Sequence, residues 1–89
     1  MIYEWDENKK ATNYIKHKVD FLDAERFEWE SAIETIDDRA DYKEERWIAL
    51  GFIDNRLHVL IYALRGENIR LISPRKANSL ERKYYEEKT

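Results

Sequence analysis

Apolar residues recur at two different spacings along the chain, and the change between them separates predicted helices from predicted strands. Over residues 8–17 they recur every three or four positions, which is typical of an α-helix, and Asp6 directly before this segment is a favoured N-cap residue. Asp20 begins a second run with helical spacing, which predicts a short helix over about residues 20–28. Residues 1–5 alternate apolar and polar side chains and are predicted to form a short edge strand.

The middle of the chain consists of short β-branched and apolar runs separated by turn-forming residues. These runs predict four strands, over residues 32–36, 47–53, 57–64 and 69–73. An acidic loop over residues 37–45 separates the first two strands, and residues 54–56 supply the next turn. Gly66 provides the positive φ of the last turn. Pro74 cannot donate a ladder hydrogen bond, so we expect it to end the fourth strand or to lie at the sheet edge.

A last helix is predicted over residues 80–87, capped by Asn78 or Ser79. The order of elements is therefore two N-terminal helices, a four-stranded antiparallel meander sheet and a C-terminal helix. Helices grouped before and after a hairpin-connected sheet are typical of an α+β fold, and we expect them to pack on one face of the sheet. The length of 89 residues predicts a single domain over residues 1–89.

Composition narrows the class of protein further. The chain has no Cys, which excludes a disulfide framework and a thiolate metal site and fits a reducing cytoplasm. No apolar run approaches the ~20 residues that a bilayer requires, and the first residues lack a signal-peptide pattern. We therefore expect a cytoplasmic protein without a membrane partner. Aromatic residues make up 13% of the chain, which argues against disorder.

The net charge of −3 conceals an asymmetry between the two halves of the chain. Residues 1–45 carry 14 Asp and Glu against 7 Lys and Arg, a net charge of −7. Residues 46–89 carry 5 against 9, a net charge of +4. This asymmetry predicts one acidic and one basic surface, of which only the basic one would contact phosphates. The alternative is that these charges are simply solvated.

The residues needed for metal, nucleophilic or nucleotide chemistry do not occur in the required patterns. His17 and His58 form no HxxxH-type pair. Asp37, Asp38 and Asp41 lie in one loop that lacks the Gly and the terminal Glu of a calcium site. The Ser residues lack an elbow motif, and the two Gly form no phosphate-binding loop. We therefore expect no metal and no cofactor.

Basic residues late in the chain are the remaining candidates for chemistry. Arg46 begins the second predicted strand, and Arg70 and Arg75 lie on and just after the fourth. Because the ends of neighbouring strands converge in a meander, these three side chains are expected within reach of one phosphate. Arginine suits such a site because its planar fork gives bidentate contacts and stays charged.

Each of these residues also has a structural alternative. Arg75 and Lys76 can form a solvated turn, and Arg82 can pair with a glutamate along the last helix. Trp47 can be a core residue rather than a platform for base stacking, and His17 can complement the dipole of the first helix. The residues alone therefore predict a small α+β domain with a candidate anion-binding face.

Three segments, in order, resemble the BrnT family of toxins. They are Tyr3-Glu4-Trp5-Asp6-Glu7-Asn8-Lys9 followed by Asn13, Lys16-His17, Phe21 and Ala24; Glu45-Arg46-Trp47-Ile48-Ala49-Leu50-Gly51; and Arg70-Leu71-Ile72-Ser73-Pro74-Arg75-Lys76-Ala77 followed by Glu81-Arg82 and Tyr85-Glu86. The resemblance extends over almost the whole chain. The family usually has Gly where this chain has Lys18, and Ala where it has Pro74.

The resemblance implies a RelE-like toxin of a type II toxin–antitoxin system that cleaves RNA without a metal ion and inhibits translation. It also implies a BrnA-like antitoxin with a ribbon-helix-helix DNA-binding part, through which the toxin would reach operator DNA only indirectly. Metal-free cleavage requires activation of the 2′-hydroxyl, stabilisation of the phosphorane charge and protonation of the leaving oxygen.

The residues expected to carry this chemistry have basic or proton-transferring side chains. They are Arg46, Arg70 and Arg75 for phosphate binding and transition-state stabilisation, His17 as acid or base with Lys76 and Tyr85 as alternatives, and Arg82 and Lys83 for RNA binding. A second hypothesis is a catalytically inactive toxin-like module that acts as co-repressor with its antitoxin. Tight antitoxin binding without RNA cleavage would distinguish it.

Overall fold

The computed structural model describes residues 2–89, which form a five-stranded sheet with helical segments at both ends of the chain. The elements in order are β1 (Tyr3–Glu4), α1 (Glu7–His17), two 3₁₀ helices (Phe21–Arg26 and Trp29–Ser31), β2 (Ile33–Asp37), β3 (Arg46–Ile53), β4 (Arg56–Arg65), β5 (Asn68–Lys76) and α2 (Ser79–Lys88). The predicted α+β class is confirmed. No helix within residues 2–89 has the length and apolar character needed to span a membrane.

The sheet has five strands rather than the predicted four, in the order β1-β5-β4-β3-β2. Strands β2 to β5 form the predicted antiparallel meander. The additional strand is β1, which pairs in parallel with β5 through Tyr3 opposite Ile69 and Glu4 opposite Arg70. The edge strand predicted from residues 1–5 is thus reduced to two residues of the sheet, and Met1 lies outside the described residues.

Local signals for the helix ends are confirmed. The Asp6 carboxylate accepts hydrogen bonds from the backbone of Asn8 and Lys9 at 2.7 and 3.3 Å, and Asp20 caps the following segment in the same way. α1 ends at His17, and the C-cap residue Lys18 that follows it has a φ of +61°. This is the left-handed conformation that favours glycine, the residue usual at this position in the family that the sequence resembles.

The second N-terminal helix is a pair of 3₁₀ helices rather than the predicted helix over residues 20–28. Phe21, Ala24 and Phe27 are all buried and follow one another at intervals of three residues. A 3₁₀ helix has three residues per turn, so Phe21 and Ala24 lie on one side of it and face the core, and Phe27 follows as the extended C-cap residue that forms a β-bridge with Ile53.

The two ends of the chain cover opposite faces of the sheet, so the prediction that all helices share one face is wrong. Phe27 packs over Gly51 on the side of the 3₁₀ helices, here called the 3₁₀ face. The ring of Tyr85 on α2 meets the ring of Phe52 edge to face at 5.5 Å on the other side, here called the α2 face. Gly51 and Phe52 are neighbours in β3, and successive strand residues point to opposite sides.

The helix α1 is attached to β5 through a buried polar side chain. Asn13 donates to the carbonyl oxygens of Val19 at 3.2 Å and Pro74 at 2.8 Å, and its own oxygen accepts a 2.7 Å hydrogen bond from Ser73. Pro74 does not end β5, which continues to Lys76. It lies beyond the two residues that pair with β1, where β5 has a strand neighbour on one side only, as expected for proline at a sheet edge.

Candidate functional site

Strand pairing places two of the predicted arginines in one row across the α2 face. Asp37 of β2 lies opposite Arg46 of β3, Arg46 opposite Ala63 of β4, and Ala63 opposite Arg70 of β5. The two arginines are thus two strand spacings apart, about 10 Å. The short side chain of Ala63 between them leaves space above the sheet, so the longer guanidinium groups can converge there.

A single carboxylate holds these two arginines together. Arg46 Nε donates to Glu44 Oε2 at 3.2 Å, and Arg70 Nη2 donates to the other oxygen of Glu44. Desolvation acts to raise the pKa of Glu44, but the hydrogen bonds from the two arginines bring this pKa below its usual value. The aromatic ring of Tyr42 supports the Arg46 guanidinium at 4.1 Å. Two arginines that share one carboxylate form a binding position for an anion with two or more oxygens.

The Arg70 guanidinium is not fully satisfied by this contact. Its Nε is buried and lacks a hydrogen-bond partner within the part of the chain that the structure describes. Buried donors in folded proteins are nearly always paired, and leaving one unpaired costs about 1–3 kcal/mol. The arrangement of Arg70 is therefore not the one that stability alone would favour, which is typical of a group kept for binding.

Arg75 forms a second anion position on the same face. It makes a bidentate pair with Glu81 of α2, with N–O distances of 2.8 and 2.6 Å. The hydrogen bonds that Arg75 donates to Glu81 raise the pKa of Arg75 and lower the pKa of Glu81. Arg75 lies opposite Val59, four residues along β4 from Ala63, so the two positions are about 13 Å apart.

Arg39 is a further member of this group that the sequence did not suggest. Its guanidinium makes a bidentate pair with the buried Asp37 carboxylate, at 2.7 and 2.8 Å. The charge of Arg39 acts to lower the pKa of Arg75, against the effect of Glu81, and it also acts to lower the pKa of Glu81, so Arg39 adds positive charge to the surroundings of this pair. The sequence signal that could have indicated this pair is an Asp and an Arg two residues apart at the end of a strand. We call Arg39, Arg46, Arg70 and Arg75 the arginine face.

Apolar side chains form the floor between the two anion positions. Ile48 and Ile61 lie opposite each other in β3 and β4, one row below Arg46 and Ala63. Both are half-buried, with α2 packed beyond them over Phe52. A ligand that spans the two anion positions would therefore contact apolar side chains between them.

His17 and Lys76 lie at the border of this face. His17 ends α1 and lines a shallow groove with Ser73 and Ile72. Desolvation lowers the pKa of His17, and the charges of Lys16 and Arg75 lower it further. Both effects favour the neutral imidazole. Lys76 is exposed and follows Arg75 in β5, so it points to the other side of the sheet.

The residues predicted on the last helix lie in different surroundings. Tyr85 is buried, and its hydroxyl donates a 2.7 Å hydrogen bond to the carbonyl oxygen of Ser31. It therefore fastens α2 to the segment before β2. Arg82 and Lys83 are exposed on α2. His58 is buried, with Nδ1 2.8 Å from the carbonyl oxygen of Arg56, which agrees with a structural role.

Residues 2–89 contain no cluster of three or more His, Asp or Glu side chains arranged to hold a metal ion. That the arginine face needs no metal ion for its chemistry stays a prediction.

Comparison with known proteins gives concordant results from sequence and structure. Residues 5–81 match the family model described as ribonuclease toxin, BrnT, of type II toxin–antitoxin system. A solved structure, the ribonuclease toxin BrnT of Brucella abortus, is 28% identical to this chain with a TM-score of 0.67. The alignment covers 89% of this chain and 100% of that one. No curated protein matches the chain.

Proposed function

The chain belongs to the BrnT family of type II toxin–antitoxin ribonuclease toxins, and from this premise we propose that the arginine face binds and cleaves RNA without a metal ion. Membership of this class implies an RNA substrate and an antitoxin partner. The finer assignments are part of the proposal: a RelE-like endoribonuclease that acts in the cytoplasm, inhibits translation and is neutralised by a BrnA-like ribbon-helix-helix antitoxin.

The observation that carries the proposal is the convergence of Arg46 and Arg70 on one carboxylate. Glu44 occupies the position that a phosphate would take, with one oxygen toward each arginine. An RNA phosphodiester has the single negative charge and the two charged oxygens of a carboxylate, so it can replace Glu44 between the two arginines, and its additional ester oxygens can accept from the unpaired Nε of Arg70. Arg75 provides a contact for a second phosphate along the strand.

The proposed reaction is an internal phosphoryl transfer. The 2′-oxygen attacks the adjacent phosphorus, its proton passes to a base, and the 5′-oxygen leaves with a proton supplied by an acid, giving a cyclic phosphate and a 5′-hydroxyl. Arg46 and Arg70 stabilise the charge of the phosphorane. We assign the proton transfer to His17, because it lines the groove beside Ser73 of β5 and its lowered pKa favours the neutral imidazole. Tyr85 and Lys76 are less suitable, since one is buried and engaged and the other points away.

Substitution of the arginines tests this assignment. Arg46→Ala, Arg70→Ala and Arg75→Ala should each lower the rate of RNA cleavage in EDTA by about 10²–10³-fold, because each removes charge stabilisation from the transition state. The measurement is a single-turnover assay with purified protein. Arg26→Ala is the matched control: Arg26 also pairs with two aspartates, Asp23 and Asp54, but away from the arginine face.

Two results would contradict the proposal. One is cleavage that occurs only with added Mg²⁺, and the other is cleavage that persists in the Arg46→Ala and Arg70→Ala variants. Thermal unfolding of every variant shows whether a loss of activity is only a loss of structure.

A second candidate function is favoured by the ion pairs themselves. Arg39, Arg46, Arg70 and Arg75 all have carboxylate partners within the chain, which is also how a purely structural arginine would be held. This observation fits a catalytically inactive module that acts with its antitoxin as a co-repressor. Antitoxin binding and operator repression without RNA cleavage by the wild-type chain would select it.

A further inference from the structure

The 3₁₀ face carries an apolar groove that is separate from the arginine face. Three adjoining depressions border Trp29, and the floor of one of them is formed by Trp47, Tyr62 and Leu64. Leu64 is 56% exposed, and Ile36, which lies opposite Trp47 in the neighbouring strand, is 52% exposed. Exposed apolar side chains that lie together on a rigid surface are typical of an interaction site.

Trp29 gives this groove a fixed shape. Its Nε1 donates a 2.8 Å hydrogen bond to the hydroxyl of Tyr3, and its ring meets those of Phe27 and Tyr62 edge to face at 4.7 and 5.3 Å. The Tyr62 hydroxyl is in turn hydrogen bonded to Glu34. An anchoring aromatic held from three sides loses little conformational freedom when a partner binds.

The charged residues that line the groove are all acidic. Glu25, Glu28, Glu30 and Glu34 line the three depressions, and no Lys or Arg lines them within residues 2–89. Such a rim repels RNA, whose backbone is anionic, and attracts a cationic protein segment. The groove therefore calls for a partner that has apolar side chains on one side and lysine or arginine next to them.

We propose that this groove, which we call the acidic groove, binds a basic, apolar-anchored segment of the antitoxin. The inference rests on the proposed function, in that it takes the antitoxin as the partner of this chain. The antitoxin would thus hold the toxin on the 3₁₀ face while the arginine face lies on the opposite side of the sheet. The contact that attaches the antitoxin to the toxin would then be separate from the contact that controls access of RNA to the arginine face.

Two sets of variants test the acidic groove, with the antitoxin encoded beside the gene for this chain as the binding partner. Glu28→Lys with Glu30→Lys reverses two exposed charges, and Leu64→Asp places a charge on the apolar floor. Each should raise the Kd of the complex in calorimetry at least tenfold. Matched controls on α2, Glu86→Lys with Glu87→Lys and Leu80→Asp, should change the Kd by less than twofold, since these side chains are exposed away from the groove.

Other outcomes would overturn the proposal. They are groove variants that bind like the wild type, control variants that weaken binding equally, or a dimer of the chain alone that Leu64→Asp dissociates in sedimentation. RNA cleavage by the groove variants should equal that of the wild type. Absence of cleavage in the wild type would count against the ribonuclease assignment, whereas the Kd values judge the groove separately.

Discussion

At the scale of single residues, Gly51 shows how closely the 3₁₀ helices pack on the sheet. A Cβ atom at this position would lie 2.7 Å from Cζ of Phe27 and 3.1 Å from Cβ of Ala32. Phe27 is buried and held between the sheet and Trp29, so its ring cannot simply turn away. Gly66 is required for a different reason: its φ is +62°, but no atom lies within 4 Å of an added Cβ.

Gly51→Ala should lower the free energy of unfolding by about 1–3 kcal/mol through overpacking. Gly66→Ala should also destabilise the protein, by about 1–2 kcal/mol, but through backbone strain. Urea unfolding of each variant, alone and combined with Phe27→Leu, separates the two causes. Phe27→Leu should relieve part of the Gly51→Ala cost and none of the Gly66→Ala cost. Equal, additive costs in both combinations would show that the contact with Phe27 does not limit position 51.

At the scale of elements, carboxylates fasten the loop between β2 and β3, and the start of α2, to the arginine face. Asp37 holds Arg39, Glu44 joins Arg46 to Arg70, and Glu81 holds Arg75. Glu81 also accepts a 2.9 Å hydrogen bond from the backbone of Asn78, which completes the capping box of α2. The Glu81 side chain therefore caps the N-terminus of α2 and also positions Arg75.

These contacts predict a loss of stability in acid. Hydrogen bonds from Arg39 lower the pKa of Asp37, and the pKa values of Glu44 and Glu81 are also below their usual values. A lowered pKa in the folded state contributes stability above the unfolded pKa, which is lost as the pH falls through the folded value. The urea midpoint should therefore fall as the pH is lowered below about 4.5.

Asp37→Asn provides the comparison for this pH dependence. The variant should be less stable than the wild type at pH 6 and should lose less stability on acidification, because one of the titrating carboxylates is gone. Parallel curves for the two proteins would show that the Asp37–Arg39 pair does not contribute. His17 and His58 titrate in both proteins, so their effect cancels in the difference.

Signals that act within a few residues predicted local structure well. Asp6, Asp20 and Asn78 were recognisable as caps because a cap involves only the next turn of chain. The meander predicted that Arg46, Arg70 and Arg75 lie within reach of one phosphate, because neighbouring strand ends meet in such a sheet. Arg46 and Arg70 do share one carboxylate, but Arg75 lies opposite Val59, further along the sheet, and pairs with a different one. Pairing of β1 with β5 was not predictable, because it joins residues 66 positions apart through only two residue pairs.

The remaining differences between the predicted and the observed structure have similar physical causes. Chain order does not determine which face a terminal helix covers, so the position of Tyr85 on the α2 face required the structure. The loop over residues 38–45 has no periodicity, and its net acidic composition concealed the pairing of Arg39 and the bridging role of Glu44.

At the scale of the whole molecule, the sheet separates two surfaces of opposite charge. The arginine face lies on the α2 side, and the acidic groove with its four glutamates lies on the 3₁₀ side. The net charge of −3 averages over both surfaces and does not describe either. Binding of RNA should therefore depend on the few arginines of one face and not on the total charge of the protein.

The salt dependence of RNA binding measures how many phosphates the arginine face contacts. With three phosphate-binding arginines, log Kd should rise with log salt concentration with a slope of about 2, which weakens binding about twentyfold between 50 and 200 mM NaCl. The measurement uses uniformly 2′-O-methylated RNA, which cannot be cleaved by attack of its own 2′-oxygen. Arg70→Ala should reduce the slope by about 0.7. A slope near zero would contradict phosphate recognition.

The parallel pairing of β1 with β5 also determines when the sheet of a newly made chain can be completed. Glu4 cannot pair with Arg70 until 66 further residues have been synthesised, and the carbonyl oxygen of Ser31 cannot accept the hydrogen bond from Tyr85 until 54 further residues have been added. Contacts between distant parts of a chain form late because closing a long loop is entropically costly. A ribosome that stops before β5 therefore releases a fragment without the strand that carries Arg70 and Arg75, and so without two members of the arginine face.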